Sequence, residues 1–182
     1  MTRAIVFLIA SVFLIYVSRK SVLHPGAHGF YRFFAWECML ALALLNVPYW
    51  FKDPLAPKQV ASWLFLCISL FLVAHGLYLL KLVGKPNRER ADDKLIAFEK
   101  TSALVTVGAY KYIRHPLYSS LLFLVWGIFL KHLSWPGLLL ALSSTLFLFL
   151  TAKRDEAECL DHFGDAFHSY MRGTKRFIPF LF

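Results

Sequence analysis

Five long apolar segments constrain the fold of this chain more than any other feature of its sequence. They lie at about residues 4–18, 33–51, 60–80, 117–131 and 136–152. A hydrocarbon core about 30 Å thick requires about 20 residues of helix, so the first, fourth and fifth segments need flanking residues to cross it. A composition that is 58% hydrophobic and 17% charged is unusual for a soluble domain. The pattern predicts an all-α, polytopic membrane bundle of about five transmembrane helices, formed by a single domain over residues 1–182.

The formal net charge of +9 could indicate a nucleic-acid partner, but the positions of the basic residues explain it differently. With five spans, sixteen of the twenty lysines and arginines lie on one side of the membrane. The four on the other side are Arg3, Lys52, Lys58 and Lys131. Because cytoplasmic loops carry an excess of lysine and arginine, we expect the N-terminus outside and the C-terminus in the cytoplasm. No nucleic-acid partner is expected.

The first apolar segment has two interpretations. Arg3 followed by an apolar run is typical of a signal peptide, but no small-x-small cleavage site precedes Arg19 and Lys20. A retained span is therefore the favoured interpretation.

The three cysteines are Cys38, Cys67 and Cys159, an odd number with wide spacing. They match neither a metal-binding spacing nor a disulfide framework, so a packing role and no metal are expected.

The polar chemistry gathers in the expected cytoplasmic regions, the connection at residues 81–114 and the tail from residue 153. The charged stretch at residues 84–94 is interpreted as a solvated loop, and Glu99 as a helix or turn carboxylate.

Arg114, His115 and Pro116, the RHP triplet, lie where the fourth span enters the bilayer. Proline fits the first turn of a helix, and the free N–H groups there can face a carboxylate or a ribose oxygen. Gly108 permits a tight turn before this triplet.

The tail carries an apolar stripe at helical spacing, which predicts one face of an α-helix. Its members are Glu156, Leu160, Phe163, Phe167 and Tyr170. The opposite face is acidic and is expected to be solvated, with Glu158, Asp161 and Asp165. A carboxylate on a buried stripe is costly without a partner, so Glu156 is expected to bind a ligand or a nearby cation. The candidate cations are Arg114, Arg154 and Arg172.

Together these residues form a recognisable pattern. The stretch GAYKYIRHPLY at residues 108–118 is followed by an acidic pair at Asp155 and Glu156, and by RFIP at residues 176–179. From about residue 104 to residue 179, the chain resembles the isoprenylcysteine carboxyl methyltransferases and their relatives, the membrane phospholipid methyltransferases. It departs from them at Thr151, where an arginine is frequent, and at Phe167, where tyrosine is usual.

The resemblance implies a methyltransferase that uses S-adenosyl-L-methionine, with a cofactor-binding part at about residues 100–120 and 153–179. It implies a lipophilic or prenylated substrate that enters from the bilayer, so membrane lipids are the expected surroundings. The cofactor residues carried over are Leu104, Val105, Gly108, Tyr110, Arg114, His115, Pro116, Tyr118 and Glu156. Candidate catalytic residues are Arg114, Arg154, Glu156 and Arg176.

The nucleophile is left open by the sequence. Carboxyl O-methylation needs only cations to position a carboxylate, whereas phospholipid N-methylation needs a base such as His115 or Glu156 to deprotonate an amine. Glu37 and His75 are ionisable residues within the spans, so they are candidates for the substrate route, with snorkelling or mutual pairing as the alternative.

Two more distant alternatives are a membrane reductase that uses NADPH and a non-catalytic membrane protein. Sterol reductases usually have asparagine before the tyrosine instead of the R-H-P-x-Y sequence found here. A non-catalytic protein would leave Glu156 on the buried stripe unexplained. Neither the substrate nor the oligomeric state follows from the sequence.

Overall fold

A computed structural model describes residues 2–85 and 101–181, and within them the chain is helical. Six α-helices are present in these two ranges: α1 Thr2–Val22, α2 His28–Asn46, α3 Pro57–Leu82, α4 Pro116–Lys131, α5 Trp135–Phe163 and α6 Asp165–Gly173. Short 3-10 helices occupy Val47–Tyr49 and Gly108–Lys111. The predicted all-α bundle is confirmed. Most of the charged stretch at 84–94 lies outside the described residues, as does Glu99.

Four helical segments are long and apolar enough to cross a membrane, which confirms an integral membrane protein. They are α1, α2 with its 3-10 extension to Tyr49, α3 and α5. The apolar helix α4 is shorter, at 16 residues.

Proline and glycine set several helix boundaries. Pro57 and Pro116 open α3 and α4, where a missing N–H costs nothing. Ser134 caps the start of α5, since its hydroxyl accepts a hydrogen bond from the Gly137 N–H at 3.3 Å. At the other end of α5, Gly164 has φ 55°.

Two helix pairs form the body of the bundle. Helix α3 packs along α4 and α2 packs along α5, while α1 lies against α2. Fully buried apolar residues at their junction are Ala35, Leu42, Val125, Ala141 and Leu148. A hydroxyl also joins the two helices within each pair: Ser62 of α3 donates to the Gly127 carbonyl of α4 at 2.6 Å, and Ser144 of α5 to the Ala35 carbonyl of α2 at 2.9 Å. Such interhelical hydrogen bonds stabilise helices that pack in lipid.

The two ends of the bundle differ in chemistry. At the end where α4 finishes, the buried Lys131 ammonium donates to Gln59 Oε1 at 3.1 Å and lies 3.4 Å from the centre of the Trp63 ring. At the opposite end, α2 begins and the charged part of α5 begins. We call this the site end, because the residues described below meet there.

The tail departs from the sequence-based expectation of one continuous apolar stripe. Helix α5 runs from the apolar span into the charged residues without a break, and the chain then turns at Gly164 into α6. The stripe is therefore divided between two helices. Phe163, Phe167 and Tyr170 still face the same cavity, because the turn folds α6 back over the site end.

Candidate active site

Two distant segments meet at the site end through backbone pairing. Ile113 forms an isolated parallel bridge with Lys175. The Arg114 N–H donates to the Lys175 carbonyl at 2.8 Å, and the His115 N–H donates to the Arg176 carbonyl at 3.2 Å. This pairing places the RHP triplet beside the C-terminal segment, directly before α4 begins.

Glu156 is the centre of a buried ion cluster. Its Oε1 accepts from Arg114 Nε at 2.8 Å and from Arg176 Nε at 3.0 Å, and its Oε2 accepts from Arg176 Nη2 at 2.7 Å. His115 Nε2 lies 3.3 Å from Oε1. Of the three cations considered for Glu156, Arg114 makes the contact, whereas Arg154 and Arg172 are exposed. Arg176 is a further partner, and the bridge at Lys175 brings it into place.

Arg114 also closes the C-terminal end of α6. Its Nη1 donates to the Met171 carbonyl at 3.2 Å and to the Thr174 carbonyl. These carbonyls lack partners within the helix, so a guanidinium satisfies them and interacts favourably with the negative end of the helix dipole. Arg114 therefore joins α5, α6 and the start of α4.

His115 lies between two carboxylates. Its Nδ1 is 3.3 Å from Asp155 Oδ2, and its Nε2 is 3.3 Å from Glu156 Oε1. Both ring nitrogens can donate only in the imidazolium form. Burial on its own lowers the pKa of His115, but hydrogen bonds to Asp155 and Glu156 and their negative charges outweigh it, so the pKa is raised. The ring also stacks on Tyr118 at 5.3 Å.

A central cavity of about 340 Å³ opens beside this cluster. It lies between α2, α3, α4, α5, α6 and the segment before α4. Of the predicted cofactor residues, six lie on its wall: Leu104, Val105, Tyr110, Arg114, His115 and Tyr118. Asp155 is also on the wall, whereas Glu156 is buried behind it. The cavity thus combines apolar and aromatic surface with a few charged groups, as small-molecule sites commonly do.

Tyr110 and Tyr170 link α6 to the segment before α4. The Tyr170 hydroxyl donates to the Tyr110 carbonyl at 2.6 Å. Burial, then the proximity of Tyr170 and Asp155, raises the pKa of Tyr110, so its hydroxyl stays protonated at neutral pH. Both tyrosines are on the cavity wall.

Helix α2 supplies a further wall of the cavity, which the sequence-based expectations did not include. His28, Arg32 and Trp36 recur at a spacing of four, and Arg32 and Trp36 line the cavity. Glu158 contacts His28 from α5, with its Oε2 2.7 Å from His28 Nδ1. The expectation that Glu158 lies on a solvated face is wrong. The four-residue spacing on α2 was the signal that could have revealed this face.

A comparison with known families agrees with this arrangement. A family model described as phospholipid methyltransferase matches residues 59–165, which is more than half of the chain. The chain belongs to this family. The match confirms the predicted resemblance to the membrane methyltransferases, and it includes the RHP triplet, Asp155 and Glu156.

Curated relatives carry a more specific name. The chain is similar to the methanethiol S-methyltransferase of Pseudomonas sp. (strain GM41(2012)), with 26% identity over 131 residues that cover 71% of this chain and 47% of that protein. It is 23% identical over 145 residues to the protein of the same name from Pseudomonas deceptionensis, covering 80% and 48%. The chain therefore spans about half the length of the curated relatives it matches. No solved structure matches it significantly.

Several predicted site residues lie away from the central cavity. Pro116 is buried as the first residue of α4, and Arg154 is exposed on α5. Glu37 accepts a hydrogen bond from the Ser11 hydroxyl at 2.7 Å, so it joins α2 to α1. Neither Glu37 nor the other two residues lines the central cavity.

Gly108 and His75 act together beside the cavity. Gly108 has φ 59°, and a Cβ there would lie 2.6 Å from His75 Nε2 and 2.7 Å from Leu79. The Ala109 N–H points to His75 Nε2 at 3.4 Å. His75 therefore supports the 3-10 helix that presents Tyr110 to the cavity.

The prediction that no metal is bound stays a prediction. His28, Asp155 and Glu158 offer ligand atoms that lie within 4.8 Å of one another. The hydrogen bond from His28 to Glu158 and the nearby Arg32 account for this grouping without an ion.

Proposed function

We propose that this protein is a methyltransferase that uses S-adenosylmethionine and binds it in the central cavity. The observation that carries the proposal is the meeting of the RHP triplet with Asp155, Glu156 and the C-terminal segment beside a cavity of about 340 Å³. The donor set fits this cofactor. A carboxylate suits an ammonium group or ribose hydroxyls, and aromatic walls suit a flat base.

Within this proposal the two acidic residues have different roles. Asp155 is on the cavity wall and is assigned to the cofactor's hydroxyl or ammonium groups. Glu156 is a positioning residue, because both of its oxygens are occupied by Arg114 and Arg176. This assignment revises the sequence-based expectation that Glu156 itself contacts the cofactor.

The cofactor supplies an electrophilic methyl group on a sulfonium, and the protein's own groups position the nucleophile. Arg114 and His115 place positive charge on the cavity wall. Cations so placed attract and orient an anionic nucleophile and hold it in line for transfer. Apolar neighbours such as Leu117 and Leu121 exclude water from the same space.

The site favours an anionic nucleophile over an amine. An amine must lose a proton before it attacks, so it needs a free base. His115 has a raised pKa and a carboxylate beside each ring nitrogen, and Glu156 already accepts from two arginines, so neither side chain is a free base. A carboxylate needs no base, and a thiol next to cations such as Arg114 and His115 ionises more readily to the reactive thiolate. The names of the curated relatives add support for a thiol, and the earlier expectation of carboxyl O-methylation remains the second candidate.

An apolar acceptor has a route beside the site. A second cavity, of about 620 Å³, lies between α3, α4 and α5 and is lined almost entirely by apolar side chains, including Phe149 and Phe177. The Phe177 ring is 6.2 Å from the His115 ring. This proximity supports a lipophilic acceptor that approaches from the bilayer.

The experiment is methyl transfer from labelled S-adenosylmethionine to three acceptors in detergent micelles: a small alkyl thiol, a prenylated cysteine carboxylate and phosphatidylethanolamine. We expect label in the thiol or the carboxylate and background label in the amine. Arg114→Gln should reduce transfer strongly, whereas the exposed Arg172→Gln should not. Label confined to the phospholipid amine would contradict the argument about the missing base.

We also propose that the site end faces the cytoplasm and that the N-terminus is outside. Arg19 and Lys20 lie in the last turn of α1, Arg32 lies in the second turn of α2, and Lys153 lies where α5 leaves its apolar span, all at this side of the bundle. A reporter fused after residue 182 should therefore read as cytoplasmic. A reporter that reads as external would reverse the orientation.

A further inference from the structure

Arg32 is a buried cation on the wall of the central cavity. It lies on the first turns of α2, is 2% exposed and is not part of the Glu156 cluster. Burying a guanidinium inside a bundle is costly unless polar, charged or aromatic neighbours compensate for the water that it loses. Arg32 also lines the central cavity, so it can contact a ligand held there.

The side chain of Arg32 is oriented from two sides. Its Nη1 lies 3.4 Å from His28 Nε2, one helical turn earlier. On the other side, its guanidinium carbon is 5.0 Å from the centre of the Trp36 ring, one turn later, within the range of a cation–π contact.

Glu158 fixes the orientation of His28. Its Oε1 accepts from the His28 backbone N–H at 2.8 Å, and its Oε2 lies 2.7 Å from the ring Nδ1. When Nδ1–H donates to this carboxylate in the neutral imidazole, Nε2 is left as an acceptor facing Arg32. The carboxylate also lies at the positive end of α2. A chain of contacts thus runs from Glu158 through His28 to Arg32.

From this arrangement we propose that Arg32 binds a carboxylate in the central cavity and that His28 and Glu158 position it. The inference rests on the proposed function. A guanidinium presents paired N–H donors in one plane, a geometry that matches a carboxylate. Two sources carry this group: the amino-acid part of the methyl donor, and a carboxylate acceptor.

A competing account gives Arg32 only a structural role. Arg32 also interacts electrostatically with Asp155 on the same wall, so it could serve as a counter-ion alone. The two accounts differ in what happens when the ligand's carboxylate is removed. Loss of a counter-ion weakens the binding of all ligands alike, whereas loss of a carboxylate partner weakens the binding only of ligands that carry a carboxylate.

The test is calorimetric binding of S-adenosylhomocysteine and of its decarboxylated analogue to the full chain in detergent. Arg32→Gln should weaken the binding of S-adenosylhomocysteine about ten- to a hundred-fold, which is the contribution of a charge-assisted hydrogen bond. The affinity for the decarboxylated analogue should stay within about three-fold of the wild-type value. Arg32→Lys should fall between, since it keeps the charge but loses the planar fork. Arg19→Gln, at an exposed arginine on α1, is the matched control and should change neither affinity.

Glu158→Gln tests the positioning role. It should reduce the preference for the carboxylate-bearing ligand in the same direction as Arg32→Gln and by a smaller factor. That preference is a ratio of two affinities, so a general loss of stability does not change it.

If the carboxylate belongs to the acceptor, the affinity for S-adenosylhomocysteine stays unchanged in Arg32→Gln. The KM for the prenylated cysteine carboxylate then rises about ten-fold or more, and the KM for the small thiol does not. Equal losses for both cofactor analogues, or no selective loss in either arm, overturn the proposal and leave the proposed function standing. Wild-type protein that neither binds S-adenosylhomocysteine nor transfers a methyl group would refute both.

Discussion

Replacing Glu156 with glutamine removes a negative charge from the point where Arg114, Arg176 and His115 converge. The side chains of Arg114, Glu156 and Arg176 are 10%, 7% and 19% exposed, so the cluster is largely shielded from water. Glutamine keeps the shape but has only one acceptor oxygen. If that oxygen takes the place of Oε1, its amide group faces Arg176 Nη2, donor against donor.

The magnitude follows from the cost of leaving buried cations without their partner. Breaking a buried ion pair by removing one member typically costs about 3–5 kcal/mol. For a chain of 150–250 residues, 1 kcal/mol corresponds to a shift in Tm of about 2–4 °C, so the expected fall is roughly 6–20 °C. Asp161→Asn removes an exposed carboxylate from the same helix and should change Tm little.

The assay is thermal unfolding in detergent, with and without S-adenosylhomocysteine. In the Glu156→Gln background, adding Arg176→Gln should cost less than it does in the wild type, because the cation it removes is already without its carboxylate. A Tm for Glu156→Gln as close to wild type as that of Asp161→Asn would refute the description of Glu156 as the centre of the cluster.

Two further predictions concern the segment before α4. Gly108→Ala should lower Tm by about 2–8 °C, because a left-handed conformation costs other residues about 1–2 kcal/mol and the new Cβ would meet His75. The control is Gly173→Ala, where nothing lies within 4 Å of the added atom. Equal losses of Tm in the two variants would refute the argument. Since the folded pKa of His115 is raised, its contribution to stability is complete below the unfolded pKa near 6.5 and is lost as pH rises through the folded pKa. Tm measured from pH 6 to pH 9 should therefore fall more in the wild type than in His115→Gln, and parallel curves would contradict this.

Parts of the site were predictable because their causes are local. The proline of the RHP triplet fixes the first turn of α4, and Gly108 takes the positive φ for which glycine is suited. The helical phase of Glu156 correctly predicted a buried carboxylate in need of a cation.

Other parts depend on contacts between distant segments and left no such signal. Arg176 reaches Glu156 only because Lys175 pairs with Ile113, and a single backbone bridge has no sequence pattern. Glu158 lies across the helix from the apolar stripe, and this position predicts a solvated side chain. The start of α2 covers that face instead. The break at Gly164 was missed because a lone glycine within a helical pattern is only a weak signal for its end.

The binding of S-adenosylhomocysteine to the purified protein tests the central claim most directly. Isothermal titration calorimetry in detergent, with NADPH titrated in parallel, distinguishes a methyltransferase site from a reductase site. The account predicts one S-adenosylhomocysteine per chain, a strong loss of affinity in Arg114→Gln and no binding of NADPH. Binding of NADPH without binding of S-adenosylhomocysteine would contradict the assignment of the central cavity to the methyl donor.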